Sequence, residues 1–243
     1  RYEIEGNPMI SILIPNKDHI GELETCIGSV FDKTTYENFE IVIIENGSEE
    51  EETFAYYKQL EAEYGEKVRI VTWNYGFNYA AINNFGAKAA KGDYLLLLNN
   101  DTEVITPDWL QEMLMFAQRE DVGVVGAMMY FGDDTIQHAG IIMGIGGTAG
   151  HSHKGLKRGS AGYLCKLAIA QDVSGVTGAC MMIAKDKYEK SGGLDEKFAV
   201  DFNDVDFCCR LLDAGYKNVF TPFAELYHYE SKSRGYEDTP EKL

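Results

Sequence analysis

The chain has 243 residues, 45% of them apolar and 25% charged, which is the composition of an ordinary folded domain and excludes disordered, collagen-like and disulfide-scaffold classes. Lysine plus arginine is 22 against 39 aspartate plus glutamate, a net charge of −17 that disfavours nucleic acid and anionic lipid surfaces as partners and leaves a phosphorylated ligand to be met by a metal ion or a local basic loop. The longest apolar runs, such as Tyr94–Leu98 and Ile41–Ile44, fall far short of the ~18 residues that span a bilayer, and the chain opens on Arg1 rather than Met, so it is expected to be a domain excised from a longer protein.

In chain order, Met9–Pro15 is an apolar run ended by proline. Ile20, Leu23, Ile27, Val30 and Phe31 follow at near-helical spacing, which predicts a strand and then a helix. Phe39–Glu45 predicts the next strand, closed by Asn46-Gly47-Ser48, where Asn-Gly favours a turn and Ser48 is placed to cap a helix reaching about Tyr64. The run Glu49–Glu52 reads as the solvated start of that helix. Val68–Trp73 predicts a strand, and the alanine-rich Asn78–Ala90 a helix that Lys91-Gly92 is expected to end by a glycine C-cap. The unbroken leucines of Asp93–Leu98 predict a strand buried on both faces. Thr106-Pro107-Asp108 opens a helix to about Arg119, and Val122–Met128 is a further strand.

Repeated strand–helix alternation predicts parallel strands joined by right-handed crossovers. The expected fold class is therefore α/β, with a mostly parallel open sheet flanked by helices in residues 1–130. Residues 131–243 are less regular. They hold a glycine-rich stretch from Gly140 to Gly162, apolar runs at Val173–Val176 and Cys180–Ala184, a helix from about Phe202 to Ala214, and a last short strand before His228. With no repeat and no linker, residues 1–243 read as one domain of two halves. Cys26, Cys165, Cys180, Cys208 and Cys209 form no C-x-x-C pair and are odd in number, which predicts free thiols in a reducing compartment.

Open α/β sheets bind ligands at the carboxyl ends of their strands, so Pro15-Asn16-Lys17, Glu45-Asn46 and Asn99-Asn100-Asp101 are expected on one rim. Asp101 is there either an oxygen ligand for Mg²⁺ or Mn²⁺ or the cap of a turn. Asn203-Asp204-Val205-Asp206 sets two carboxylates at i and i+2, which do not share a helix face. One can cap the helix while the other faces a cleft as a general base, or both are solvated. His228 stands just before Ser231-Lys232-Ser233-Arg234, whose hydroxyls and cations suit phosphate oxygens, so it reads as part of a metal–diphosphate site or as a packed histidine. Gly144–Ala149 loosely fits a dinucleotide fingerprint, but His151-Ser152-His153-Lys154-Gly155 after it does not open a helix, and the segment reads as a loop. His138, His151 and His153 lack zinc-ligand spacing, and no G-x-S-x-G elbow is present.

Taken together, the segments resemble the family 2 inverting glycosyltransferases of the GT-A fold, and their bacterial surface-polysaccharide, rhamnosyltransferase-like members. The residues that carry the resemblance are Ser11 to Asp18, Phe39 to Ser48, Asn74 to Asn83, Gly92 to Asp101, Val176 to Cys180, Gly192 to Glu196, Asn203 to Asp206 and His228 to Gly235. The resemblance implies that Pro15, Asn16, Glu45, Asn46, Asn74, Gly76, Asn78, Asn83, Asn99 and Asn100 line a nucleotide pocket. It makes Asp101 and His228 ligands of Mn²⁺ or Mg²⁺, Ser231, Lys232, Ser233 and Arg234 a diphosphate loop, and Asp204 the catalytic base. The implied reaction moves a sugar with inversion from a UDP- or dTDP-sugar to a glycan or lipid-linked acceptor, on the cytoplasmic side and peripheral to the membrane. Three positions depart from the pattern: Asn99 removes the first carboxylate of the D-x-D site, Asn203 replaces glutamate, and Glu45 replaces aspartate. Those losses define the alternative, a catalytically degenerate nucleotide- or glycan-binding module. A nucleotidyltransferase would need a glycine- and arginine-rich loop where Asn16-Lys17-Asp18-His19-Ile20 stands.

Overall fold

The computed structural model describes residues 1–229. Strands β1 (Ile10–Asn16), β2 (Phe39–Glu45), β3 (Val68–Thr72) and β4 (Tyr94–Leu98) alternate with helices α1 (Ile20–Lys33), α2 (Glu51–Tyr64) and α3 (Tyr79–Ala89). Their side chains sort by the period-two rule of a strand with both faces covered. Ile10, Ile12, Ile14, Ile41, Ile43, Leu96 and Leu98 point to one core with α1 and α2. Leu13, Val42, Ile44, Leu95 and Leu97 point to the other, with Ala80, Ile82 and Ala87 of α3.

The chain continues through β5 (Thr102–Val104), α4 (Trp109–Ala117), β6 (Val122–Tyr130), β7 (Ile136–His138), β8 (Ile141–Met143) and β9 (Ala149–His151). It then forms β10 (Gln171–Val173), β11 (Cys180–Ala184), α5 (Lys185–Lys190), α6 (Asn203–Asp213) and β12 (Lys217–His228). The glycine-rich stretch supplies the β8–β9 hairpin, whose turn holds Gly144 and Gly147 at positive φ. All five cysteines are free thiols.

Among the described residues the main sheet runs β10-β12-β6-β11-β4-β1-β2-β3. The pairings β3-β2-β1-β4 are parallel, as is β6-β12, but β11 is antiparallel to both β4 and β6, so the sheet is mixed beyond its N-terminal block. β6 thus runs in the same direction as β4 with a strand from the second half between them. The last strand, expected to be short, has 12 residues, and a register shift between Thr221 and Glu225 accommodates Pro222.

Two local expectations are replaced. Ser48 does not cap α2: its amide and hydroxyl both go to Glu45, while Asp18 reaches over to accept the Glu49 and Glu50 amides and the Thr53 hydroxyl. Gly92 is no left-handed cap either, since α3 ends on an extended Ala90. A Cβ on Gly92 would lie 2.7 Å from both the Met9 carbonyl and the Ser11 amide, so glycine is needed there for close approach of the backbone.

Glu40 lies inside the sheet with no exposed surface, bonded by the Ser11 hydroxyl at 2.6 Å, the Lys91 amide at 2.7 Å and the Arg69 guanidinium at 2.8 Å. Removing the cation leaves a buried carboxylate without its counter-charge. Arg69→Met is expected to cost about 3 kcal/mol of stability, read as a lower denaturant midpoint at unchanged slope.

Candidate active site

The register brings the sequence motifs to one rim. Asn16 pairs with Glu45 across β1 and β2, and the Asn46 amide bonds the Asn16 carbonyl at 2.9 Å. Leu98 at the end of β4 lies opposite Cys180 at the start of β11, so Asn99 and Gly178-Ala179 are neighbours, and the Asn99 amide bonds the Ala179 carbonyl at 3.0 Å. His228, the last residue of β12, pairs with Thr102.

The nucleotide side of this rim is more closed than the sequence suggests. The Asn100 side-chain amide donates to Asn16 Oδ1 at 2.7 Å, Asn16 Nδ2 donates to the Tyr57 hydroxyl at 2.8 Å, and that hydroxyl donates to Glu45 Oε2 at 2.6 Å. Burial and the Glu45 acceptor push the Tyr57 phenol up, so it keeps its proton. With Ser48 donating twice as well, Glu45 is buried and its carboxylate is engaged by its own chain, so it braces the rim instead of presenting both oxygens to a base or ribose. Asn46 draws in the next loop by donating to the Tyr75 carbonyl at 3.2 Å.

Two further residues assigned to the pocket are structural. Asn78 caps α3 by accepting from the Ala81 amide and also donates to the Glu196 carbonyl. Asn83 is fully buried, with Nδ2 on the Tyr79 carbonyl at 2.9 Å and Oδ1 without a hydrogen bond. Asn74 and Gly76 are exposed, Pro15, Asn99 and Asn100 are half-buried, and these remain the rim positions that can touch a ligand.

Asp101 and His228 come together, with His228 Nε2 3.2 Å from Asp101 Oδ1. Behind the imidazole, Gln137 of β7 sets its tautomer. Gln137 Nε2 donates to the His228 carbonyl at 3.4 Å, so Oε1 faces Nδ1 at 2.7 Å and Nδ1 carries the proton. The Nε2 lone pair then faces a carboxylate oxygen and the Asn99 side-chain amide at 3.2 Å. A lone pair and a carboxylate oxygen converging in this way fit a divalent cation between them, with Gln137 as the partner that orients the ligand. Two protein ligands make no cage, and no group of three or more metal-ligating side chains occurs among the described residues. That number suits Mg²⁺ or Mn²⁺, ions that take most of their remaining ligands from substrate phosphates and water.

His138 and His151 lie nearby but are spent on each other, Nδ1 to Nδ1 at 2.8 Å, and His153 pairs with the Ser152 hydroxyl. Burial depresses His138 far below the usual imidazole range and His151 to about 4, so neither adds a positive charge that would oppose a cation. Gln137 was not legible in the sequence, because β7 is a three-residue strand with no periodicity to find. Gln137→Leu is expected to weaken Mn²⁺ binding roughly 10–100-fold, measured by titration of the metal into the protein with UDP present.

Asp204 opens α6 on the same rim. Its Oδ2 accepts the Gly178 amide at 2.9 Å and its Oδ1 the Val205 amide at 2.8 Å. Burial raises its pKa above the ordinary aspartate value, although the Gly178 and Val205 amides and the Thr177 hydroxyl pull it back. Asp206 turns away to Arg210 at 2.8 Å, and Asn203 ties down the preceding loop through the Val200 carbonyl at 2.8 Å. Phe202, just before the helix, holds φ at 62°, a left-handed conformation that costs an aromatic residue energy and is found most often near functional sites. Ser231, Lys232, Ser233 and Arg234 lie outside the described residues.

Comparison with known proteins gives the family and the fold class. Residues 11–192 match Glycosyl transferase family 2, and the chain belongs to that family. It is 46% identical over 242 residues to the uncharacterized protein y4gI of Sinorhizobium fredii and 39% identical over 242 residues to the O-antigen biosynthesis protein RfbC of Myxococcus xanthus. Each alignment covers 99% of the chain, but only 26% and 19% of the relatives' lengths. A shorter stretch of 63 residues, 26% of the chain and 20% of the relative, is 33% identical to an N-acetylglucosaminyl-diphospho-decaprenol L-rhamnosyltransferase of Mycobacterium tuberculosis. Among solved structures, GalNAc-T7 with UDP, GalNAc and Mn²⁺ superposes with a TM-score of 0.75 at 14% identity, over 97% of this chain and 46% of that one. The mannosyltransferase PcManGT from Pyrobaculum calidifontis, with GDP-Man and Mn²⁺, gives 0.71 at 13% identity over 96% and 61%. The fold is GT-A.

Proposed function

We propose that the domain is an inverting, metal-dependent glycosyltransferase that moves a sugar from a UDP- or dTDP-sugar to a hydroxyl of a glycan or lipid-linked acceptor in bacterial surface-polysaccharide assembly. The observation that carries this reading is the placement of Asp204, a carboxylate held by two backbone amides, on the rim that also holds Asp101 and His228. Asp204 takes the proton of the acceptor hydroxyl as that oxygen attacks the anomeric carbon, and the nucleoside diphosphate leaves from the opposite face. General-base assistance of this kind contributes roughly 10²–10⁴ in rate. Asp101 and His228 hold the divalent cation, which when bound neutralises the charge that grows on the leaving diphosphate. Pro15, Asn74, Gly76, Asn99 and Asn100 bound the nucleotide, and Ser231 to Arg234 bring two cations of this acidic chain, Lys232 and Arg234, to the diphosphate. The name of the Myxococcus relative supports a surface-polysaccharide role. Among the described residues no helix is long and apolar enough to cross a membrane, so a lipid-linked acceptor would be met at the membrane face.

Asn99 in place of the first D-x-D carboxylate favours a second reading, a module that binds nucleotide or glycan without turnover. Titration with UDP and with dTDP, each with and without Mn²⁺, followed by a transfer assay on the donor panel that binds, separates the two. Metal-dependent binding with turnover supports the enzyme. Metal-dependent binding without turnover in the presence of acceptor supports the module in its nucleotide-binding form, and no binding of either nucleotide rejects the enzyme and favours the module in its glycan-binding form.

A further inference from the structure

Tyr79 is the first residue of α3, and its hydroxyl lies 2.9 Å from the Gly178 carbonyl and 3.3 Å from Asn99 Oδ1. One phenol therefore contacts the backbone that holds Asp204 and the side chain that stands beside His228. The backbone that carries the ring is itself fixed: the Tyr79 amide bonds the Ala199 carbonyl at 2.7 Å, the Tyr79 carbonyl accepts from Asn83, and Asn78 caps the helix it starts. Gly178 is the hinge between these contacts. Its amide and its carbonyl flank one Cα, so a bond that fixes the carbonyl also restricts how far the amide can swing. A Cβ on Gly178 would come within 3.3 Å of the Tyr79 hydroxyl and 3.7 Å of Asp204 Cβ, so glycine lets both residues close on the same backbone.

We propose that Tyr79 is a positioning residue for sugar transfer, its hydroxyl donating to the Gly178 carbonyl and so pinning the backbone that aims Asp204. The inference rests on Asp204 being the base. Without the hydroxyl, the Gly178 carbonyl loses its side-chain donor and the 178–179 peptide is held more loosely, although the Ala179 amide still bonds Thr177 Oγ1. The Gly178 amide then holds Asp204 less firmly, and a carboxylate that loses an N–H donor takes up a proton more readily. The other ionisable groups near Asp204 do not mask this. Cys208, one turn along α6, is kept neutral by burial, and Asp206 is paired with Arg210.

The test is Tyr79→Phe, which keeps the ring and its packing. In the whole chain, labelled at aspartate carboxyl carbons and assigned with Asp204→Asn, the Asp204 midpoint in an NMR pH titration is expected to rise by about half a pH unit. Turnover, followed as nucleoside diphosphate released from UDP- and dTDP-hexoses, is expected to fall roughly 10–100-fold in kcat while the donor KM stays within about twofold. An unmoved Asp204 midpoint overturns the proposal, as does a loss of kcat that comes only with a lowered unfolding temperature. Failure of the functional reading looks different: there, Asp204→Asn itself would retain turnover.

Discussion

Asp204→Asn is expected to lower sugar transfer by roughly 10²–10⁴-fold while the affinity for UDP with Mn²⁺ stays near that of the unaltered domain. The side chain keeps its size, and its loss of one accepted backbone amide costs about 1 kcal/mol, which a folded domain of this length survives. Because Asp204 sits on Gly178 and Val205 and not on the Asp101–His228 pair, donor binding and proton abstraction should come apart in this variant. The pH dependence carries the same signature. A base works ionised, and burial raises the Asp204 pKa above the ordinary aspartate value, so the rate of the unaltered domain should fall, as pH drops, at a higher pH than a solvated aspartate would give. A variant with near-normal turnover, measured with donor saturating, would remove Asp204 from this role.

The second large effect is expected at the cation site. Asp101→Asn keeps the hydrogen-bonding shape but removes the only carboxylate that faces His228 Nε2 in the described residues. UDP affinity in the presence of Mn²⁺ should then fall by at least about 10–100-fold, approaching the value measured for the unaltered domain with chelator. The logic is electrostatic: a chain of charge −17 and a nucleoside diphosphate repel each other, and the ion is what reverses the sign between them. Metal-independent UDP binding that is the same in Asp101→Asn and in the unaltered domain would contradict the assignment.

Much of this was legible before any coordinates. Phe39–Glu45 and the leucines up to Leu98 announce buried strands because each is a short, mostly apolar run closed by turn residues, and rim placement of Asn16, Asn99 and Asp101 follows from strand direction alone. What the chain did not disclose is how a polar side chain divides its bonds between the protein and a ligand. Asn78 and Asn83 are the same residue type as Asn74 and Asn99, and Glu45 is as polar as any of them, yet a helix cap, a back-bond and a phenol claim them. Nor could one-dimensional spacing connect Gln137 to His228, 91 residues apart, or Tyr79 to Gly178, 99 residues apart. Tyr79 did leave a trace, a large amphipathic ring directly after a helix cap and before a run of small residues, where its polar tip has to find a partner. The antiparallel β11 left none, because strand direction is decided by which sheet edge is open when the chain returns.

That returning strand governs the order in which the molecule can be built. Until residues 180–184 arrive, β4 has β1 on one side and an open hydrogen-bonding edge of leucines on the other, and β6, already synthesised, has no route to it. The N-terminal half therefore has an open strand edge that only a five-residue segment some fifty positions beyond its own end covers in the described residues. The same strand begins directly after Gly178-Ala179, so closing the sheet and delivering the backbone that holds Asp204 are one folding event. The metal pair forms later still, when β12 lays His228 beside Thr102. Asp204 and the Asp101–His228 pair thus hang on different strands of one sheet, β11 through Gly178 and β12 through His228, so a lesion in either strand strikes one half of the rim before the other.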